Sequence, residues 1–520
     1  MPNFHYTFNL QIKFAEVVQK YPSRIALRYP DKTEITYQEL DVLSNKLSGF
    51  LILNNFVKGD VVAIFNEKSP LAYVLMLACI KNGIVYTNLD VTSPWSRVDK
   101  IIKNCKPVAV FYDKDVKQIF LELAVQYPHI QQFHLGSARL NEESLLHQQK
   151  LSGLNQDSSI HGNDPLYIMF TSGSTGFPKG AVMSHNNVLN FIDWGKETFS
   201  VTEEDIFTNA NPIYFDNSVF DFYVSIFNGA TLVPLSHDLV KQPQALVKAI
   251  NASNCTIWFS VPSLLVYLLT TKALTENDFK TVRRISFGGE GFPKNKLKNL
   301  FDLFGHRMDL FNVYGPTECT CICSSYKITK DDFENMNELA PLGYMAPNFG
   351  YYIIPHSDNN INLGELCLMG PCVGLGYYND PERTSVSFVQ YPNAGYHQRM
   401  YKTGDLVERA SNEYLHFKGR IDNQIKHMGY RIELEEIEAA FSSLPAVDEA
   451  GVIYEKINAE LGQIKAFVVV NDMDMNNEKL LKAIKTILPP YMLPRTIKIM
   501  KVLPKNQNGK IDRNQLKTIK

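Results

Sequence analysis

The sequence lacks several features that would place it in common functional classes. Its 520 residues carry a net charge of −2, so no general excess of positive charge is available for nucleic acid or an anionic membrane. No apolar run reaches the roughly 18 residues that a membrane-spanning helix needs. The first ten residues, MPNFHYTFNL, lack the basic-then-apolar pattern of a secretory signal. We therefore predict a cytoplasmic protein with no nucleic-acid partner and no membrane insertion.

Cysteine pairs with metal-site spacing are also missing. The eight cysteines are scattered, as in a reduced cytosolic chain, except in CTCIC (319–323). The i, i+2, i+4 spacing of Cys319, Cys321 and Cys323 predicts three thiols on one face of a strand. Zinc sites usually take two cysteine pairs set far apart. We therefore expect a strand that lines a pocket or the core, and no protein-held metal cluster here.

The residues that are present indicate an α/β protein of two or more domains. Apolar, β-branched runs alternate with helical patterns, which favours a largely parallel sheet. We predict strands over VVAIF (61–65), PVAVFYD (107–113) and PLYIMF (165–170). PLAYVLMLACIKNG (70–83) predicts a helix that ends at Gly83.

The last part of the chain has a different pattern of predicted helices and strands. ELEEIEAAFSSL (433–444) and EKLLKAIKTIL (478–488) have the apolar spacing of helices, the second stopped by Pro489. AGVIYE and IKAFVVV between them read as strands. We predict a compact α+β domain of about a hundred residues. Its boundary falls in GRIDNQ near Asp422, which divides the chain into residues 1–420 and 421–520.

A polar, glycine-rich loop lies between a buried-looking strand and a helix in YIMFTSGSTGFPKGAVMSHNN (167–187). Its spacing differs from a Walker A motif. Strand, glycine-rich turn and helix together let backbone N–H groups converge on an anion, and Ser184 or Asn186 is placed to cap the helix. The loop therefore predicts a phosphate site, with a flexible surface loop as the alternative. The residues concerned are Thr171, Ser172, Gly173, Ser174, Thr175, Gly176 and Lys179.

The segment TSGSTGFPKG resembles the phosphate loop of the adenylate-forming superfamily, which contains acyl-CoA synthetases, luciferases and nonribosomal-peptide adenylation domains. Further motifs follow in that superfamily's order: ITYQEL (35–40), LDVTSPWSRV (89–98), NVYGPTE (312–318), GELCLMGPCVGLGYYNDPERT (364–384), YKTGDLV (401–407), GRIDNQIKHMGYRIELEEIE (419–438) and NQNGKIDR (506–513). The resemblance covers almost the whole chain. It implies a large N-terminal multi-sheet acyl-adenylate synthetase domain and a small mobile α+β lid domain.

The resemblance also implies ATP and Mg²⁺ and assigns residues to them. The loop residues would hold the β- and γ-phosphates. Tyr314 would stack on adenine, since an aromatic face suits a purine, and Asn312 and Gly315 beside it would also contact the nucleotide. Thr317 would bind the α-phosphate and Glu318 would ligate Mg²⁺, a cation that prefers oxygen ligands. Lys510 would be the catalytic lysine. Asp405 and Arg420 would contact the ribose.

The acid that is activated is indicated by YFDNSVFDFY (214–223). Amino-acid adenylation domains keep an aspartate where Asp216 stands, and an ammonium in a mostly apolar pocket needs such a carboxylate. The other pocket residues implied by the resemblance carry no charge, which predicts a small or medium neutral amino acid. They are Asn217, Phe220, Phe259, Ser286, Gly288, Val313, Cys321 and Ile322.

Several stretches are similar to the D-alanine–D-alanyl carrier protein ligase family, but that family carries a cysteine where Gly288 stands. D-alanine and another small amino acid therefore both remain open. The chain ends seven residues after Arg513. We therefore expect transfer to the phosphopantetheine thiol of a separate carrier protein. The resemblance implies that the small domain then rotates near Asp422 and brings KHMGYR in place of Lys510.

Two other functions compete with this hypothesis. An acyl- or aryl-CoA ligase would share every nucleotide motif, and Asp216 would then be incidental. A degenerate nucleotide-binding regulator would lack activity altogether. Exchange of pyrophosphate with amino acids, compared with carboxylates that lack the amine, separates the three.

Replacement of Lys510 tests the role that the resemblance assigns to it. Because an ammonium at this position would stabilise charge on the α-phosphate, Lys510→Ala should weaken transition-state stabilisation by roughly 3–4 kcal/mol, about a 10²- to 10³-fold loss of rate. The measurement is the rate of adenylate formation. Lys517→Ala, in the same polar tail, is the control, and equal rates for the two variants would contradict the assignment.

Overall fold

The computed structural model describes residues 6–65, 67–112, 117–135, 159–173, 175–357, 360–392, 395–457, 462–472, 474–506 and 511–519. Two predicted site residues, Ser174 and Lys510, lie outside the described residues. The chain divides into two compact units. The large unit comprises Met1–Val91, Lys106–Met169 and Ala181–Gly419. The small unit comprises Thr92–Cys105, Phe170–Gly180 and Arg420–Lys520.

Strands of the described residues are numbered in chain order. They are β1 Ile25–Arg28, β2 Glu34–Thr36, β3 Val61–Phe65, β4 Val85–Leu89, β5 Ala109–Tyr112, β6 Gln131–His134, β7 Pro165–Thr171, β8 Lys179–Ser184, β9 Ile206–Asn209, β10 Thr231–Pro234, β11 Ile257–Ser260, β12 Arg284–Gly288, β13 Asp309–Tyr314, β14 Ser324–Lys327, β15 Tyr344–Met345, β16 Gly350–Ser357, β17 Asn360–Met369, β18 Gly376–Tyr377, β19 Phe388–Gln390, β20 Arg399–Arg409, β21 Leu415–Arg420, β22 Gln424–His427, β23 Tyr430–Glu433, β24 Val447–Lys456, β25 Gly462–Val470 and β26 Thr496–Met500.

Helices are numbered in the same way. They are α1 Leu10–Lys20, α2 Tyr37–Leu53, α3 Pro70–Asn82, α4 Trp95–Cys105, α5 Lys117–Gln126, α6 His185–Thr198, α7 Asn217–Val219, α8 His237–Val240, α9 Pro243–Ala252, α10 Pro262–Thr270, α11 Lys294–Phe304, α12 Pro381–Ser387, α13 Leu434–Ser442, α14 Asn477–Ile484 and α15 Arg513–Lys517. A π-helical turn spans Phe220–Val224, and 3₁₀ turns span Thr317–Cys319, Lys330–Phe333 and Pro490–Met492.

Two largely parallel sheets form the framework of the large unit. Their strand orders are β15-β14-β13-β12-β11-β9-β10-β1-β2 and β18-β8-β7-β4-β3-β5-β6. The interior strands β3, β4, β9, β11 and β12 pair in parallel with their described partners. Every residue of β3 and β4 is buried, which explains their continuous apolar sequence. The predicted α/β class is confirmed.

A third, antiparallel sheet in the large unit has the order β16-β17-β20-β19, with β21 paired to β20. The middle of β20 carries the YKTGDLV motif, and its residues Thr403 and Asp405 are buried. This sheet thus places the predicted ribose-binding carboxylate on a regular strand instead of a surface turn.

Local sequence signals account for the ends of two important helices. Helix α3 begins at Pro70, which has the backbone angle that a first helical residue needs, and ends before Gly83 with φ 64°. Helix α6 begins after Ser184, whose hydroxyl accepts from the backbone N–H of Asn187. The Asn187 side chain in turn accepts from the Ser184 backbone N–H and completes a capping box. The cap predicted from sequence is therefore Ser184.

The small unit contains the predicted α+β segment. Strands β24, β25 and β26 form one sheet, β22 and β23 form a hairpin, and α13 buries Ile437 and Phe441 against this core. The second predicted helix ends earlier than expected, at Ile484 instead of Leu488. The following residues form turns because Pro489 and Pro490 disfavour helical backbone in the residue before each of them.

Within the part of the chain that the structure describes, no helix combines the length and the apolar character that crossing a membrane demands.

Candidate active site

The carboxyl ends of parallel strands in the large unit bring most of the predicted site residues together. Strands β9, β11, β12 and β13 are consecutive neighbours that run in the same direction. Their ends supply Phe259, Gly288 and Tyr314, and the NVYGPTE motif follows directly after β13. In open α/β sheets this edge is where ligands bind.

Tyr314 and Asp405 come from two different sheets and meet through a hydrogen bond. The Tyr314 hydroxyl donates to Asp405 Oδ2 at 2.6 Å, and both residues are buried. Burial and the neighbouring Asp405 carboxylate hold the pKa of Tyr314 well above its usual value. The Asp405 backbone N–H donates to Thr403 Oγ1, and that hydroxyl donates to the Leu366 carbonyl. The ring and the carboxylate are therefore held in a defined orientation.

Glu318 lies in the 3₁₀ turn after Pro316 and is completely buried. Its Oε1 accepts from the Tyr377 hydroxyl at 2.7 Å, and its backbone carbonyl accepts from the Gly374 N–H at 2.9 Å. Sequence reasoning missed Tyr377, although it stands in the quoted GELCLMGPCVGLGYYNDPERT motif. No residue spacing in that motif distinguishes Tyr377 from its neighbour Tyr378.

Asp216 and Thr317 are brought into direct contact although they are far apart in sequence. Thr317 Oγ1 donates to Asp216 Oδ2 at 2.5 Å. Asp216 directly precedes α7 and is partly exposed, whereas Thr317 is buried. The residue predicted to bind the substrate ammonium thus adjoins the residue predicted to bind the α-phosphate.

The remaining predicted pocket residues form a tightly packed wall. Phe220 and Phe259 meet edge to face, with ring centroids 5.3 Å apart. Burial raises the pKa of the Cys321 thiol well above its usual value. Asn217 is partly exposed. The others are no more than 4% exposed: Phe220, Phe259, Ser286, Val313, Cys321 and Ile322.

At Gly288, backbone atoms of the neighbouring strand leave no room for a side chain. It pairs with Val313 across β12 and β13. A Cβ built at Gly288 would lie 2.4 Å from the Val313 carbonyl oxygen and 2.7 Å from its Cγ2. No side chain fits there unless the strands move apart, so the absent side chain is required by packing.

The strand predicted for Cys319–Cys323 is wrong. Cys319 ends the 3₁₀ turn, Thr320 takes a left-handed φ of 78°, and β14 begins only at Ser324. The left-handed residue breaks the two-residue alternation on which the prediction relied. All three thiols are nevertheless buried. Among the described residues, no group of three or more His, Cys, Asp or Glu side chains is placed to hold a metal ion.

The predicted phosphate loop belongs to the small unit. Ser172 Oγ donates to the Arg431 carbonyl at 2.6 Å, and Lys179 Nζ lies 4.0 Å from Glu433 Oε1. Lys100 donates to the carbonyl of Gly176, a residue with φ 77°. Thr171 Oγ1 is buried, and it neither donates nor accepts a hydrogen bond among the described residues. Gly173 is buried and Thr175 is exposed.

Two predicted nucleotide contacts have other partners in the structure. Arg420, in the small unit, donates from Nε and Nη2 to both carboxylate oxygens of Asp422 at 2.6 Å each. Asn312 donates from its side chain to the Pro341 carbonyl at 2.8 Å. Gly315 allows a close approach, because a Cβ there would lie 2.1 Å from the Cys321 carbonyl oxygen. The predicted nucleotide-binding roles of Arg420 and Asn312 stay predictions.

Comparison with known proteins assigns the class. The family model for AMP-binding enzyme matches residues 14–378, and the model for the AMP-binding enzyme C-terminal domain matches residues 436–510. The chain therefore belongs to the AMP-binding enzyme family, and the resemblance inferred from its motifs is confirmed.

Individual relatives cover nearly the whole chain. The D-alanine–D-alanyl carrier protein ligase of Listeria monocytogenes serovar 1/2a is 31% identical over 93% of this chain and 94% of its own length. The enzyme of the same name from Bacillus licheniformis is 31% identical over 97% of this chain and 99% of its own length.

Solved structures share the fold. An artificially fused adenylation–PCP di-domain NRPS from Klebsiella oxytoca has a TM-score of 0.80 at 24% identity and covers 95% of this chain and 94% of its own. A double mutant of o-succinylbenzoate CoA synthetase from Bacillus subtilis has a TM-score of 0.85 at 23% identity and covers 99% of both chains. The predicted architecture, a large N-terminal domain and a smaller C-terminal one, is confirmed.

Gly288→Ala tests the packing at the pocket wall. Because the new methyl would meet the Val313 carbonyl, we expect a loss of roughly 1–3 kcal/mol in the free energy of unfolding, the usual cost of overpacking. Gly350→Ala is the matched control, since its nearest neighbours, atoms of Met369, lie 3.5–3.6 Å from the built Cβ. Denaturant unfolding measures both variants, and equal stabilities would contradict the constraint assigned to Gly288.

Proposed function

We propose that this protein is an ATP-dependent amino acid–carrier protein ligase for a small neutral amino acid. It forms the aminoacyl adenylate with release of pyrophosphate. The phosphopantetheine thiol of a separate carrier protein then attacks the adenylate carbonyl, which forms a thioester and releases AMP. The hydrogen bond between Thr317 and Asp216 at 2.5 Å carries this proposal. The names of the two relatives, both D-alanine–D-alanyl carrier protein ligases, support it.

Recognition of the amine rests on Asp216. An ammonium that leaves water for an apolar wall needs a paired carboxylate, and the other residues of that wall are uncharged. Asp216 is partly exposed at the mouth of the buried wall, where a substrate can reach it. Its bond with Thr317 brings the substrate carboxylate close to the α-phosphate position.

The two aromatic residues of the wall favour a small substrate side chain, because they occupy volume on that side of the pocket. Phe220 and Phe259 fill the interior with their edge-to-face contact, and the residues around them are almost fully buried. Gly288 leaves no space for the cysteine that the D-alanine family carries. D-alanine and other small amino acids are therefore the substrates to compare.

The chain's own residues divide the adenylation step among them. Thr317 releases Asp216 and donates its hydroxyl proton to the α-phosphate, and the Lys510 ammonium offsets the charge that builds up as the substrate carboxylate attacks the α-phosphorus. Tyr314 stacks on adenine, between Asn312 and Gly315. Asp405 binds the ribose. Arg420 releases Asp422 and contacts the same ribose.

Glu318 is the proposed Mg²⁺ ligand. It is a buried carboxylate, and Mg²⁺ would take its other ligands from phosphate oxygens and water. When bound, Mg²⁺ neutralises phosphate charge. Tyr377 holds the carboxylate in place through its hydroxyl.

The phosphate loop and the domain arrangement complete the proposal. The loop holds the β- and γ-phosphates. Ser172 gives up its hydrogen bond to Arg431, and Lys179 moves away from Glu433, so that both bind phosphate oxygens. The loop residues are Thr171, Ser172, Gly173, Ser174, Thr175, Gly176 and Lys179.

Rotation near Asp422 between domains 1–420 and 421–520 then permits thiol attack, and the unit boundary at Gly419 supports that division. ATP as cosubstrate and the eight free cysteines support a cytoplasmic location.

A substrate panel tests the proposal. ATP–pyrophosphate exchange is measured with D- and L-alanine, glycine, D- and L-serine, valine and phenylalanine, and with propionate and benzoate as acids that lack the amine. We expect exchange with small amino acids and little with the others. Exchange that is faster with propionate or benzoate would identify an acyl- or aryl-CoA ligase instead.

Asp216→Ala tests the amine contact. Loss of the carboxylate should raise the KM for the amino acid by an amount equivalent to roughly 3–5 kcal/mol, the cost of leaving a buried charge unpaired. The KM for ATP should change little. Asp193→Ala, which removes an exposed carboxylate of the large unit, is the control. A variant at position 216 that keeps the wild-type KM for the amino acid would refute the assignment.

A further inference from the structure

A second buried aspartate lies behind the proposed amino-acid site. Asp221 belongs to the π-helical turn that also carries Phe220, and it is completely buried. Its Oδ2 accepts from Asn209 Nδ2 at 2.9 Å and from Asn211 Nδ2 at 3.0 Å. Its Oδ1 has no hydrogen-bond partner among the described residues. A helix of π geometry with a buried acid is uncommon, and such turns often occur at functional sites.

Asn211 connects this turn to β11, the strand that carries Phe259. The same Nδ2 group that donates to Asp221 also donates to the carbonyl oxygen of Phe259 at 3.0 Å. Phe220 and Phe259 are the two aromatic residues whose rings meet in the wall. The buried Asn211 amide therefore joins the backbone of β11 to the Asp221 side chain.

Lys68 anchors the other end of this network. Its ammonium donates to the carbonyl oxygens of Asn209 at 2.7 Å, Ala210 at 3.2 Å and Leu235 at 2.7 Å, and the residue is 6% exposed. Three acceptors use all three protons of a charged lysine. Burial lowers the pKa of Lys68 to about 7 and raises the pKa of Asp221 to about 7, and each charge partly offsets the shift of the other.

These contacts hold the segment that delivers Asp216. Lys68 binds the carbonyls at its start, and Asn211 binds Phe259 in its middle. Near its end, the Ser218 hydroxyl donates to the carbonyls of Ile213 and Phe215. The path from β9 to Asp216 is thus fixed by side chains rather than by a regular strand or helix.

We propose that Asn211 and Asp221 are positioning residues for amino-acid recognition, which hold the Phe220–Phe259 pair of the pocket wall in place. The proposal rests on the function proposed above and adds the residues that fix this aromatic wall. Neither residue contacts the substrate. Both act through the aromatic pair and through the segment that ends at Asp216.

Asn211→Ala removes the bridge and leaves the walls, Asp216 and the nucleotide residues in place. We expect the KM for the preferred acid to rise about tenfold, equivalent to about 1.4 kcal/mol, while the KM for ATP changes less than about twofold. The ratio of kcat/KM for valine to that for alanine should rise as well, since a loosened wall admits a larger side chain. Exchange kinetics with the acid that the wild-type enzyme prefers provide every value.

Asn82→Ala is the matched control. Asn82 is another buried asparagine of the large unit, and its amide group bonds with Ser48 at 2.7 and 3.1 Å, away from the pocket residues. It should lower the melting temperature to a similar extent and leave both KM values and the valine-to-alanine ratio unchanged. Asp221→Asn, which keeps one acceptor oxygen for Asn211, should give a smaller rise in the KM for the acid than Asn211→Ala.

Two results would overturn the inference. One is an Asn211→Ala enzyme with a lowered melting temperature but with the wild-type KM for the acid and the wild-type valine-to-alanine ratio, which would make Asn211 merely structural. The other is an equal rise in the KM for ATP and the KM for the acid. A wild-type enzyme that prefers propionate would instead refute the proposed function, and the KM for propionate would then report on Asn211.

Discussion

The hydrogen bond between Thr317 and Asp216 is the contact on which the active site depends. It joins a turn that follows β13 to a segment that follows β9, and neither residue could reach the other unless the intervening strands lay side by side. In a sheet with parallel strands, the ends that carry ligand-binding loops meet at one edge. The arrangement of β9, β11, β12 and β13 therefore places the acid proposed to bind the amine beside the hydroxyl proposed to bind the phosphate.

Buried polar groups hold this edge in place. Glu318 is oriented by Tyr377, Asp405 by Tyr314 and Thr403, and the approach to Asp216 by Lys68 and Asn211. Each of these groups is costly to bury without partners, so the surrounding residues cannot rearrange independently. Buried charges are also paired in the small unit, where Arg97 and Glu436 form an ion pair. Precise placement of charge in this protein is thus a consequence of shared hydrogen bonds.

Much of the fold was predictable because its signals are local. The apolar run of β3, the Pro70 start and Gly83 end of α3, and the Ser184 cap of α6 each reflect the preferences of a few adjacent residues. The errors also have local causes. The left-handed Thr320 interrupts the alternation expected for Cys319–Cys323, and the prolines at 489 and 490 shorten α14. A single backbone angle or a pair of prolines outweighed a pattern of side chains.

The sequence by itself determined the family and the nucleotide motifs, and it predicted Asp216, Tyr314 and Glu318 as site residues, because these depend on residue types in a short order along the chain. Only the tertiary structure decided that Thr317 bonds with Asp216, that Tyr377 holds Glu318, and that Gly288 is confined by Val313. It alone revealed the buried hydrogen bonds of Lys68, Asp221 and Asn211. The reason is physical: these contacts join residues brought together by strand order and burial, and no spacing in a linear sequence records them.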